Sequence, residues 1–169
     1  ISEAVHTADD LKSLYERIHS IIRTMMPAEN VYLVLHHPES GLFHFDYHVD
    51  TMDKPPSPRA LTSGLNAYVI REGRALLATR DSMIDSKSEW RLAGGTPSAV
   101  WLGVPLTERG RTFGVMAVQD YINEKAYGEE EKQILTFVAG QVAAAIQRKR
   151  AEQALRESEE KHRALFEAT

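Results

Sequence analysis

The sequence predicts an α+β fold with an antiparallel sheet, and three features carry that expectation. A long amphipathic segment stands near each end of the chain, two β-rich hairpins lie between them, and a short helix-to-strand unit separates the hairpins. Hairpins pair antiparallel, and helices set apart from them in sequence cover such a sheet instead of alternating with its strands.

The first segment, ADDLKSLYERIHSIIRTMMP, has Thr7 or Asp9 as helix caps and places Leu11, Leu14, Ile18, Ile21 and Met25 at spacings of three and four before Pro27 ends it. Tyr15, Ile22 and Met26 form a second apolar stripe, so this helix has two surfaces to cover. NVYLVLHHPESGLFHFDYHV then reads as a hairpin turning at residues 38–41. Pairing Leu35 with Phe45, Leu33 with Tyr47 and Val31 with Val49 gathers apolar side chains on one face. The other face then holds Tyr32, Val34, His36, His44, Asp46 and His48.

Pro55, Pro56 and Pro58 forbid regular pairing in the next segment, which is therefore a surface loop. A helix over residues 63–71, stopped by Gly73, leads into a strand over 75–79 that ends at Asp81. Residues 82–99 show no sustained period and contain Gly94, Gly95 and Pro97; they read as a long loop with a helical turn near 86–92. Loops of this length in compact domains commonly serve as lids or binding walls.

The second hairpin, WLGVPLTERGRTFGVMAVQ, is expected to pair Leu106 with Phe113, Val104 with Val115 and Leu102 with Ala117. Pro105 lacks an N–H, so its strand must place it where no donor is needed or carry a bulge. From residue 129 to about 165 the chain reads as one helix with two stripes. Leu135, Val138, Val142, Ala145 and Ile146 stop inside the globular part, whereas Ile134, Phe137, Ala144, Ala151, Leu155, Ser158 and Leu165 keep a seven-residue repeat beyond it. The expectation is a parallel coiled-coil exit and a homodimer held by Leu11, Leu14, Ile18 and Ile21 of the first helix with Ile134, Phe137, Ala144 and Leu155 of the last.

Composition narrows the function. With 43% hydrophobic and 26% charged residues the chain has the make-up of an ordinary folded domain, and a formal charge of -4 opposes a general nucleic-acid binder. It contains no cysteine, which removes disulfides, thiolate nucleophiles, iron–sulfur clusters and cysteine-based zinc sites. No apolar run approaches the ~18–20 residues that cross a bilayer, and the expected location is cytoplasmic, without direct membrane contact. The ends look like those of a piece cut from a longer protein.

This order of elements, with VPLTERGRTFGVMAVQ followed by YGEEEKQILTFVAGQVAAAI, resembles the GAF domain over about residues 9 to 149. The resemblance implies a central antiparallel sheet with the first and last helices on one face, and a cross-over helix and loops forming a pocket on the other. It assigns residues 1–149 to the GAF domain. The tail ALRESEEKHRALFEAT is similar to the opening of a PAS domain, so residues 150–169 read as a coiled-coil linker running into one. The implied parent is a signalling protein, a sensor histidine kinase or a cyclic-di-nucleotide enzyme.

The resemblance implies a regulatory module that binds a small molecule, with a ligandless dimerisation and spacer module as the alternative. It names no cofactor. Cyclic nucleotides are the best-known ligands of the family, but NEKAYGEEEK keeps Asn123, Lys125, Tyr127, Glu130 and Glu131 only in compressed form, so that ligand does not carry over. GAF proteins that reduce methionine sulfoxide through thiols are excluded by the missing cysteine. Tyr32, His48, Asp81, Trp90 and Trp101 are the candidate pocket residues, because pockets combine aromatic walls with a few polar groups. His44 and His48 around Asp46 invite a metal, but alternate strand residues span ~7 Å and a third group is needed from elsewhere; no metal site is assigned.

Overall fold

A computed structural model describes residues 3–168, with side chains from residue 10 onward. The elements are α1 (Glu3–Arg23), β1 (Asn30–His37), β2 (Leu42–Val49), α2 (Leu65–Glu72), β3 (Leu76–Thr79), α3 (Arg80–Ile84), β4 (Val100–Glu108), β5 (Arg111–Asp120) and α4 (Glu129–Glu167). The strands form one antiparallel sheet in the order β2-β1-β5-β4-β3, so the two hairpins lie side by side with β3 on one edge. Helix α1 begins upstream of the Thr7 or Asp9 caps read from the sequence.

Each sheet face carries its own core. On one, Leu33, Leu35, Leu102, Val104, Leu106, Met116 and Val118 meet Tyr15 and Ile22 of α1, Met26 just beyond its end, and Leu135, Ala139, Val142 and Ile146 of α4. The second stripe of α1 thus seals this core, as does the shorter stripe of α4. On the other face, Tyr32, Val34, Trp101, Val115 and Ala117 pack beneath Leu65, Tyr68 and Val69 of α2 and Met83 of α3. The α+β arrangement, with the two long helices on one face and the cross-over helix on the other, is as the sequence leads one to expect.

Both hairpins depart from the expected register by one residue, for one reason. In the first, Val31 pairs with Val49 and Leu33 with Tyr47 as anticipated, but a bulge between Leu33 and Val34 then sets Val34 opposite Phe45 and Leu35 opposite His44. Phe45 therefore joins the α2 face, not the helix-pair face. In the second, Arg109 (φ 52°) and Gly110 (φ 78°) make a two-residue turn with Glu108 opposite Arg111. A shift between Leu106 and Thr107, next to Pro105, then pairs Leu106 with Gly114, Val104 with Met116 and Leu102 with Val118. One extra residue inverts every side chain beyond it, and a bulge leaves little trace in an alternating pattern.

Between β3 and β4 the structure differs again. A short helix, α3, occupies residues 80–84, with the Thr79 side chain accepting from the Ser82 N–H at its start. The helical turn expected near 86–92 is instead a run of tight turns.

Candidate functional site

Beside α2 on its sheet face lies a cavity of about 500 Å³. Its floor is made by Tyr32 of β1, Phe45 and His48 of β2, Trp101 of β4 and Gln119 of β5. One wall is the start of α2 with Asn66, and the roof is two loops, residues 50–65 and 92–96. The first loop is tied to the sheet edge by paired backbone bonds between Phe43 and Arg59 at 2.8 and 3.0 Å. The two loops are clipped together by Asp53: one carboxylate oxygen accepts from the Thr96 N–H at 2.9 Å, the other from the Thr96 hydroxyl at 2.7 Å. Gly95, at φ +82°, lets the backbone approach that carboxylate, since an added Cβ would lie 3.1 Å from Asp53 Oδ2.

A chain of hydrogen bonds fixes the floor. The Trp101 indole N–H donates to the Tyr32 hydroxyl at 3.0 Å, and that hydroxyl donates to Asn66 Oδ1 at 2.8 Å. Burial, the largest cause, raises the Tyr32 phenol well above its ordinary range, so it remains protonated. The His48 ring stacks near Tyr32, with centroids 6.0 Å apart, and stands edge-on to Phe45. Burial lowers its pKa, and the charges of Asp50 and Asp53 act in the opposite direction. Asp50 accepts from the backbone N–H groups of Met52 and Asp53, from Gln119 and from Tyr121, all at 2.8 to 2.9 Å, which anchors the loop where it leaves β2.

The lining is mixed: aromatic rings below, and Asp53, Lys54, Arg59, Thr62, Ser63 and Thr96 above. It suits a small molecule with a flat apolar part and polar groups directed at the loops. Among the described residues, none of the hydroxyls of Thr62, Ser63 and Thr96 is hydrogen-bonded to a histidine, the arrangement that would activate one of them as a nucleophile; the Thr96 hydroxyl is held by Asp53.

Of the residues expected from sequence, Tyr32, His48 and Trp101 line the cavity. Asp81 does not: it is exposed in the first turn of α3, which turns the chain aside just after β3. Trp90 also lies outside the lining. Its indole N–H donates to Ser82 Oγ at 3.0 Å and its ring meets Tyr68 edge-on at 4.9 Å, because the Leu92 N–H bonds the Met83 carbonyl and folds this stretch back over α2 and α3. Sequence reasoning missed Phe45, whose face the bulge reverses, and Asp53, Arg59, Asn66 and Thr96. The triple-proline loop and the Gly94–Gly95 pair were the available signals, since they marked the two roofing loops without marking the residues that join them.

The residues expected at a dimer interface divide. Leu11, Ile18 and Ile134 pack in part against the helix-side core, and Leu14 is half-buried. Ile21, Phe137 and Leu155 are 55%, 70% and 60% exposed, and Ala144 is exposed; by helical spacing Phe137, Ala144 and Leu155 share an outward face of α4.

A family model described as GAF domain matches residues 8–147. A comparison with curated protein sequences found no match. Among solved structures, residues 122 to 287 of a methyl-accepting chemotaxis protein superpose with a TM-score of 0.69 at 15% identity, covering 88% of this chain and 99% of that one. A type II free methionine-R-sulfoxide reductase from Thermoplasma acidophilum gives 0.67 at 14%, covering 84% and 96%. A domain assigned to a two-component sensor histidine kinase of Sinorhizobium meliloti 1021 gives 0.59 at 18%, covering 86% and 96%. At these identities the structural likeness establishes the fold, and with the match over residues 8–147 it follows that the chain belongs to the GAF domain family.

Proposed function

We propose that this GAF domain is a regulatory sensor module that holds a small molecule between its sheet and its two roofing loops and passes the bound state to α4. In this reading the protein is a cytoplasmic homodimer, residues 150–169 are a coiled-coil linker running into a PAS domain, and the output lies in a two-component sensor histidine kinase. The observation that carries it is the cavity of about 500 Å³. Of the large apolar side chains between residues 82 and 99, Leu92 reaches the lining, whereas Trp90 and Met83 pack beside α2 and leave the space open. A ligandless spacer would be expected to fill this space with its own side chains. The kinship in fold with a chemotaxis receptor region and a histidine kinase domain supports the signalling setting.

Catalysis is the weaker reading. A reductase shares the fold, but this chain contains no cysteine on which thiol chemistry could run. A ligand acts on α4 only through unequal affinity for two arrangements of the domain, for which a coupling of ~1–3 kcal/mol suffices. Native mass spectrometry of freshly purified protein tests the proposal. The expected result is a small-molecule adduct whose occupancy falls in Asn66→Asp and Arg59→Ala. An adduct-free wild type that binds nothing from a metabolite mixture would leave the spacer reading in its place.

A further inference from the structure

The first hairpin gathers a second polar cluster, away from the cavity. His37 ends β1, and His44 and Asp46 lie across from it on β2. In a regular strand His44, Asp46 and His48 would share one face. The bulge, in which Asp46 is the extra residue between Tyr47 opposite Leu33 and Phe45 opposite Val34, breaks that alternation. His48 goes with Tyr32 into the cavity floor, while Asp46 and His44 stay with His37. His37 Nε2 lies 2.9 Å from both Asp46 carboxylate oxygens, and the two imidazole rings of His37 and His44 lie 4.0 Å apart. One nitrogen from each ring and one carboxylate oxygen fall within 4.8 Å of one another.

We propose that His37, His44 and Asp46 form a binding site for a divalent transition-metal ion of the zinc type. Two imidazoles and one carboxylate are donors suited to such an ion. All-oxygen sites select magnesium or calcium, and sulfur ligands select softer metals. The third group missing from the sequence pattern comes from the neighbouring strand, as His37. Tetrahedral ligand atoms stand ~3.3 Å apart at zinc distances, so the His44 ring must swing inward by side-chain rotation. Its partial exposure permits this. Ser40 Oγ lies 3.2 Å from His44 Nε2, which leaves Nδ1 for the metal, and Glu39 Oε2, 3.9 Å from His37 Nδ1, is near enough to close on that nitrogen by side-chain rotation and leave Nε2. The ion replaces the His37–Asp46 hydrogen bond and keeps an open coordination position for water. It staples β1 to β2 beside His36, whose carbonyl accepts from Arg150 of α4 at 2.9 Å.

The test is calorimetric titration of the untagged chain with Zn2+, with Co2+ absorption as a second probe. One equivalent binds per chain, with a dissociation constant on the order of micromolar, as fits three ligands on an exposed hairpin. His37→Ala, His44→Ala and the shape-preserving Asp46→Asn each weaken binding at least ~10-fold, whereas His36→Ala and His48→Ala leave it unchanged. In NMR spectra Zn2+ shifts the ring signals of His37 and His44 and spares that of His162. Circular dichroism checks that each variant is folded. Absence of binding at millimolar Zn2+, retention of full affinity in His44→Ala, or loss of binding in His48→Ala would overturn the proposal and reduce the cluster to a surface ion pair.

Discussion

At the scale of single residues, three positions carry separable consequences. Gly103 lies under the Trp101 indole, and an added Cβ would meet the ring at 2.1 Å, while the indole N–H is held by Tyr32. Gly103→Ala is expected to cost about 2–3 kcal/mol through overpacking, seen as a lower denaturation midpoint with altered tryptophan fluorescence. Tyr15 shows the reverse: its hydroxyl is buried with no hydrogen-bond partner among the described residues, and Tyr15→Phe is expected to raise stability by about 1 kcal/mol. His19 is buried, with Nε2–H donating to the Ala28 carbonyl at 2.5 Å and Nδ1 accepting from the Tyr47 hydroxyl at 2.7 Å. Burial, the largest cause, lowers its pKa, so the folded state favours the neutral ring. That contribution is complete above the ordinary value of about 6.5 and is lost as pH falls through the lowered folded value. Unfolding experiments should show stability declining below about pH 6.5, with part of the slope removed in His19→Gln and the rest assigned to His48, which burial shifts the same way.

Among the elements, the paired loops over the cavity contain no helix or named strand, and the Asp53–Thr96 hydrogen bonds join them. Asp53→Ala should speed amide hydrogen exchange at residues 93–97 and 52–60 by roughly tenfold, the equivalent of one ~1.4 kcal/mol contact, while β4 and β5 keep their protection. Equal exchange in the variant would mean that the loops are held by something else. Residue pattern revealed the long helices and the approximate limits of all five strands, because burying one face imposes a repeat on the sequence and turn residues bound the short strand β3. It could not reveal every residue that faces the cavity: a single-residue bulge decided that for Phe45, whereas His48, on the near side of the bulge, kept its expected place opposite Tyr32. Helix α3 escaped notice because five residues are too few to show a period, and with it went the positions of Asp81 and Trp90.

For the whole molecule, the long helices have one face committed to the core and carry exposed apolar residues that include Ile21, Phe137 and Leu155. Beyond Ile146, α4 leaves the core as an exposed helix, tied at its departure by Arg150 to the His36 carbonyl and by Lys149 to Asp10 at 3.4 Å. A second copy covering the outward face of α4 would explain why apolar residues persist there. Sedimentation should give a dimer at tens of micromolar, an ordinary range for a modest interface, and Phe137→Glu should give a folded monomer. A wild-type monomer, or a variant as dimeric as the parent, would contradict the proposed dimer. The cavity is decisive, and a crystal structure of the protein taken straight from purification should show continuous density for a small molecule bounded by Tyr32, His48, Asn66 and the Asp53–Thr96 clip. A cavity closed over by Phe45 and Leu61, or holding only scattered water, would leave the proposed sensor without a ligand.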